Sequence, residues 1–212
     1  MFSLSIIGIT ATGALAPGPL SVTTLALGIR GGWRTGFLVA VGHTIFELPY
    51  VVVLALLLGN VSTFIEKPQV KLPLSLITAA FTIFFAYLLI NDALKVRNGY
   101  YVSNVSSSII MKLRSPILVG VVLTGFNPFF LIWWATVGLP LIENALKLGF
   151  ITGIPLMYVL HVWMDYVWLT FLAYTSSTGA KHLGFKGYKL LLFTLAFVLI
   201  IFAIHIISVT LF

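Results

Sequence analysis

Three observations predict an all-α integral membrane protein with six transmembrane helices arranged as two inverted three-helix repeats. Of its 212 residues, 8% are charged and 60% hydrophobic, with a mean hydropathy of +1.12, which leaves too little polar surface for a soluble domain of this length. Six apolar stretches, about 4–28, 37–59, 72–91, 116–141, 150–175 and 189–211, are each long enough to cross roughly 30 Å of hydrocarbon. The first and fourth stretches are interrupted at matching places, by Pro17-Gly18-Pro19 and by Asn127-Pro128, and three crossings per half invert the second half relative to the first. The chain 1–212 therefore reads as a single transmembrane domain, with repeat one over 1–91, a cytoplasmic linker over 92–115 and repeat two over 116–212.

The first segment has no Lys or Arg ahead of its apolar run, and Pro17 directly follows an Ala14-Leu15-Ala16 that resembles a cleavage site, so it reads as a retained helix. Each proline of the break removes an N–H and blocks a carbonyl four residues back. In lipid such backbone needs a partner or a hydrated cavity, so the carbonyls of Gly13 and Leu15, and of Thr124 ahead of Pro128, are expected to open onto a protected site. Pro19 is placed to start a second half-helix, and Asn127 with Pro128 forms an N-cap and first-turn pair for another. Segments two and five carry related patterns. Arg34-Thr35-Gly36-Phe37 leads to His43 and Glu47, as Lys147-Leu148-Gly149-Phe150 leads to His161 and Asp165. The third segment has no comparable feature, and the sixth contributes only His205, which has no acidic neighbour. The linker, with Asn98-Gly99 and a Ser-rich run from Ser103 to Ser108, lacks the apolar periodicity of a second domain.

Six crossings put both termini on one side of the membrane. The loops after segments one, three and five hold nine basic residues (Arg30, Arg34, Lys95, Arg97, Lys112, Arg114, Lys181, Lys186, Lys189), against Lys67, Lys71 and Lys147 opposite. The positive-inside rule assigns the first set to the cytoplasm, which makes this a multi-pass protein of the cytoplasmic membrane with both termini outside. The net charge of +7 is thus a matter of topology and implies no nucleic-acid partner. No cysteine is present, which excludes disulfides and thiolate metal sites. A P-loop, a nucleophile elbow and a dinucleotide fingerprint are all missing, so the chain is not expected to be an enzyme, to run on ATP or to carry a cofactor.

Two half-helix N-termini facing the bilayer centre suit a carboxylate, and displaced carbonyls suit an ammonium, so Gly13, Pro17, Gly18, Pro19, Asn127 and Pro128 are the candidate binding residues for a small zwitterion. The i to i+4 spacing stacks His43 on Glu47 and His161 on Asp165, and buried ionisable groups at this depth face a cavity or each other. These four residues are the candidate proton-coupling groups. Clamps that only lock the halves together are one alternative. Another is a divalent-metal site of His43, Glu47, His161 and Asp165, which implies metal efflux. Small-residue spacing at Gly28, Gly32 and Gly36, and at Gly149 and Gly153, permits close helix packing or a homodimer. Trp33, Trp163 and Trp168, with Tyr100, Tyr101 and Tyr188, read as membrane-interface anchors or packing, and His182 belongs to a basic loop.

Taken together, these residues resemble the LysE/RhtB-type amino-acid exporters. Pro17-Gly18-Pro19 is similar to that family's first-helix Pro-Gly-Pro, the glycines at 32, 36 and 42 fall at its Gly-rich loop and second helix, and Glu47 stands where such exporters carry an Asp. Asn127-Pro128 is similar to the fourth-helix Asn-Pro, and Asp165-Tyr166-Val167-Trp168 to the fifth-helix Asp-x-x-Trp. The resemblance covers nearly the whole chain. It implies a secondary transporter that exports amino acids by proton antiport. Leu20, Phe129, His43 and His161 depart from the usual pattern, and all four fall at the expected site. The wider superfamily includes divalent-cation transporters, in keeping with the metal alternative. A membrane subunit without transport activity is the remaining reading.

Overall fold

The computed structural model describes residues 2–16, 18–65, 67–95 and 115–211, and every regular element among them is helical. The order is α1 (Phe2–Ala14), α2 (Pro19–Ile65), α3 (Pro68–Lys95), α4 (Pro116–Gly125), α5 (Pro128–Ala135), α6 (Leu139–Leu146) and α7 (Phe150–Leu211). Proline opens four of them, α2 to α5, because at the first helical position its fixed φ is already helical and its missing N–H is not needed. Pro17 and most of the linker, 96–114, lie outside the described residues.

Two of these helical runs reverse direction. Gly32, at φ 63° and ψ −162°, breaks α2 with a backbone conformation that L side chains rarely reach. Gly28 and Gly36 on either side of it both abut Ala173, so the limbs before and after the turn pack against one place on α7. The sequence predicts a loop over this region; a single glycine makes the turn instead. In α7, the ring of His161 lies 5.9 Å from Trp133, while that of Phe202 lies 5.0 Å from Phe129, one turn away along α5. A straight helix would hold residues 161 and 202 roughly 60 Å apart at 1.5 Å per residue, so α7 doubles back between them.

Three buried clusters join the helices. The largest brings together Ile6 of α1, Val51 and Leu54 of α2, Trp133 and Trp134 of α5, Ile142 of α6, and Met157 and Tyr158 of α7. A second joins Val22, the α3 residues Phe85 and Leu89, Val119 and Leu123 of α4, and Leu192 and Leu199. The third sets Val39 and Ala40 against Leu169 and Leu172. Outside them, large apolar side chains such as Leu56, Val159 and Ile151 are exposed, as a protein solvated by lipid requires.

Pro19–Leu58 and Phe150–Gly179 are long and apolar enough to cross a membrane, and α4 with α5, bent by 61°, forms a third candidate. Ser75–Asn91 and Leu192–Ser208 are shorter apolar helices. Where the sequence predicts six separate crossings, two to three candidate spans are present among the described residues, because Pro19–Leu58 takes in parts of two expected stretches and the apolar helices in the third and sixth, Ser75–Asn91 and Leu192–Ser208, are shorter. The expected linker contracts at its start, where α3 continues to Lys95, while at its end α4 begins at Pro116 as expected, capped by Ser115, which accepts from Leu118 N–H at 3.5 Å.

Candidate functional site

The α4–α5 break arises from local chemistry. Asn127 adopts an extended conformation (φ −87°, ψ 103°) and its side-chain oxygen accepts from Phe129 N–H at 3.1 Å, so a new helix begins where α4 ends. The carbonyls expected to stand open are partly occupied: Gly13 accepts from Ala16 N–H at 3.1 Å and Thr124 from Asn127 N–H at 3.2 Å. A tightened last turn at each break, rather than a bare carbonyl, is how the chain meets the loss of helical hydrogen bonds.

Both breaks border one cavity of about 70 Å³. Gly13, Ala14, Ala16, Gly18, Leu20 and Ser21 line it from the first break and Asn127, Phe129 and Phe130 from the second. His43, Glu47, His161 and Asp165 complete it with Trp133, Trp134 and Leu169. Pro19 and Pro128 do not line it; they open α2 and α5 and so bring their neighbours to it. Gly13 also has a packing role, since a Cβ there would lie 2.8 Å from the ring of Trp133.

The two His-acid pairs converge. Nε2 of His43 lies 3.1 Å from Oε1 of Glu47 and 4.0 Å from Oδ1 of Asp165; Nε2 of His161 lies 3.3 Å from Glu47 Oε1 and 3.6 Å from Asp165 Oδ2. Glu47, 1% exposed, also accepts from Trp134 Nε1–H at 2.9 Å and from the Tyr158 hydroxyl at 3.0 Å. Asp165, 7% exposed, is treated differently: its Oδ2 has no hydrogen-bond partner. The two acids occupy related sequence patterns yet are unequal in the fold.

Behind the imidazoles stand two threonines. Nδ1 of His43 is 2.8 Å from Thr124 Oγ1, and Nδ1 of His161 is 2.9 Å from Thr10 Oγ1. Each histidine is thus oriented by the interrupted segment of the opposite half of the chain. Thr10, Trp134 and Tyr158 escaped the sequence reading, and Thr124 entered it only through its carbonyl, because nothing in the spacing of these side chains marks them. The only available signal is that Thr10 and Thr124 both precede a break. Gly28, Gly36 and Gly153 lie hard against this chain's own backbone at Ala173, Leu169 and Ala145, so their small-residue spacing serves packing within the chain. Trp33 and Trp163 are exposed, while Trp168 packs beside Leu169 and Leu172.

No curated protein and no solved structure matches the chain. A family model, the LysE type translocator, matches residues 11–209, which takes in both breaks and all four converging side chains. The chain belongs to the LysE type translocator family and is a membrane transport protein.

Proposed function

We propose that the protein is a secondary transporter that exports an amino acid or similar small zwitterion across the cytoplasmic membrane in exchange for protons. The observation that carries this reading is the single cavity where both helix breaks meet the His-acid cluster. The solute carboxylate sits at the N-terminal ends of α2 and α5, near Gly18, Ser21, Asn127 and Phe129, where the helix dipoles favour negative charge. Its ammonium reaches Asp165, whose Oδ2 lacks a partner, while Glu47 is already met by donors on both oxygens. His43 and His161 bridge the two acids and complete the route by which a proton replaces the solute. The reciprocal contacts of Thr10 with His161 and Thr124 with His43 support the inverted-repeat reading with six crossings, in which rocking of one half against the other opens the cavity alternately to each side.

Counterflow of labelled amino acids into proteoliposomes tests this. A hydrogen bond to a charged group contributes about 1.5–3 kcal/mol, so Asp165→Asn should lower exchange by about 10–100-fold with the protein still present in the membrane. Ile151→Ala, at a site 86% exposed, should leave exchange unchanged. Full exchange by Asp165→Asn would sink the assignment.

A further inference from the structure

The donor set of the cavity suits a cation. Two carboxylates are buried there beside two imidazoles and none of the described lining residues is Lys or Arg, so their charge is balanced either by protons on the imidazoles or by a bound cation. The Nε2 atoms of both histidines point at the same two acids, at 3.1 to 4.0 Å. Ligands sharing one ion through bonds of about 2.0–2.2 Å can stand at most about 4.4 Å apart, so each of these neighbouring pairs is within reach of a common centre. The ligand atoms of His43, Glu47 and Asp165 all lie within 4.8 Å of one another, a few tenths of an ångström from that limit.

The surroundings fit the same purpose. If Thr10 and Thr124 accept from Nδ1–H, the neutral imidazoles present bare Nε2 atoms to the acids, the arrangement in which both can ligate a cation lying between them. If the threonines donate instead, both Nε2–H groups turn to Glu47 and Oδ2 of Asp165 is left buried without a partner. We infer that His43, Glu47, His161 and Asp165 form a site for one divalent transition-metal ion. Mixed imidazole and carboxylate donors select an ion such as Zn²⁺ or Mn²⁺ over Mg²⁺, and two carboxylates neutralise it. Thr10 and Thr124 are its positioning residues, and Trp134 and Tyr158 hold Glu47 in place. This inference goes beyond the amino-acid reading and uses the same four side chains, so an ion held there takes the place of the solute ammonium at Asp165.

The test uses the full chain in detergent, stripped by chelator and equilibrated with Zn²⁺ or Co²⁺. One ion per chain is expected, with visible Co²⁺ absorption characteristic of nitrogen and oxygen ligation. His205→Ala, outside the cluster, should keep both signals, and the His43→Ala, His161→Ala double variant should lose both. A double variant that failed to fold would also lose the ion, so Thr10→Val and Thr124→Val, which leave all four ligands in place, are measured alongside. Each should weaken Zn²⁺ binding by about 10–100-fold with an unchanged elution profile. Wild-type ion content no higher than that of the double variant, or threonine variants that bind as tightly as wild type, would overturn the site. Amino-acid counterflow is read separately, so either reading can fail while the other holds.

Discussion

Hydrogen-bond supply distinguishes Glu47 from Asp165. Trp134 can only donate, and its N–H reaches Glu47 at 2.9 Å, so Trp134→Phe keeps a ring of similar shape but removes one donor to a buried acid. The expected loss is about 1–3 kcal/mol, read as a lower thermal midpoint in detergent. Glycines give a paired test at the same scale. A Cβ on Gly120 would meet the Val39 carbonyl oxygen and the backbone of Gly42, whereas one on Gly8 would meet nothing within 4 Å. Gly120→Ala should therefore destabilise by about 1–3 kcal/mol or more, while Gly8→Ala should be neutral or stabilising by about 0.5–1 kcal/mol. The acids and histidines were legible in the sequence because ionisable residues inside apolar stretches are rare and costly. Their donors were not, since a tryptophan or threonine in a membrane helix looks the same whether it meets lipid, backbone or a buried carboxylate.

At the level of elements, both breaks and the Gly32 turn place side chains at the cavity. Asn127→Ala removes the cap of α5 and should cost about 0.5–2 kcal/mol, with a larger effect on counterflow than on stability because α5 carries Trp133 and Trp134 into the site. Gly32→Ala forces a side chain into φ 63°, ψ −162° and should cost about 1–3 kcal/mol, read in the same thermal assay. Position 127 could be predicted, because Asn before Pro has a clear local preference. The turn at Gly32 could not, because a glycine flanked by helix-compatible residues carries no sign of which φ it will adopt.

For the whole molecule, the orientation proposed from the distribution of charge can be tested directly. The absence of cysteine makes single-cysteine labelling direct. With a membrane-impermeant thiol reagent, the Lys147→Cys variant should label in intact cells and the Arg34→Cys variant only after lysis. The reverse pattern would invert the proposed topology, and labelling of both from outside would remove the basis for an odd number of crossings between them.

By itself the sequence determined that the chain is helical and built for lipid, where two helices break, and which four ionisable side chains lie in apolar surroundings. Those properties depend on composition and local backbone chemistry. Only the tertiary structure decided that the breaks and all four side chains share one cavity, that Glu47 is supplied with donors while Asp165 is not, and that α2 and α7 turn back on themselves. Convergence of residues more than a hundred positions apart depends on how close the helices can approach. That in turn rests on glycines such as Gly28, Gly36, Gly42 and Gly120, whose neighbours the sequence does not reveal.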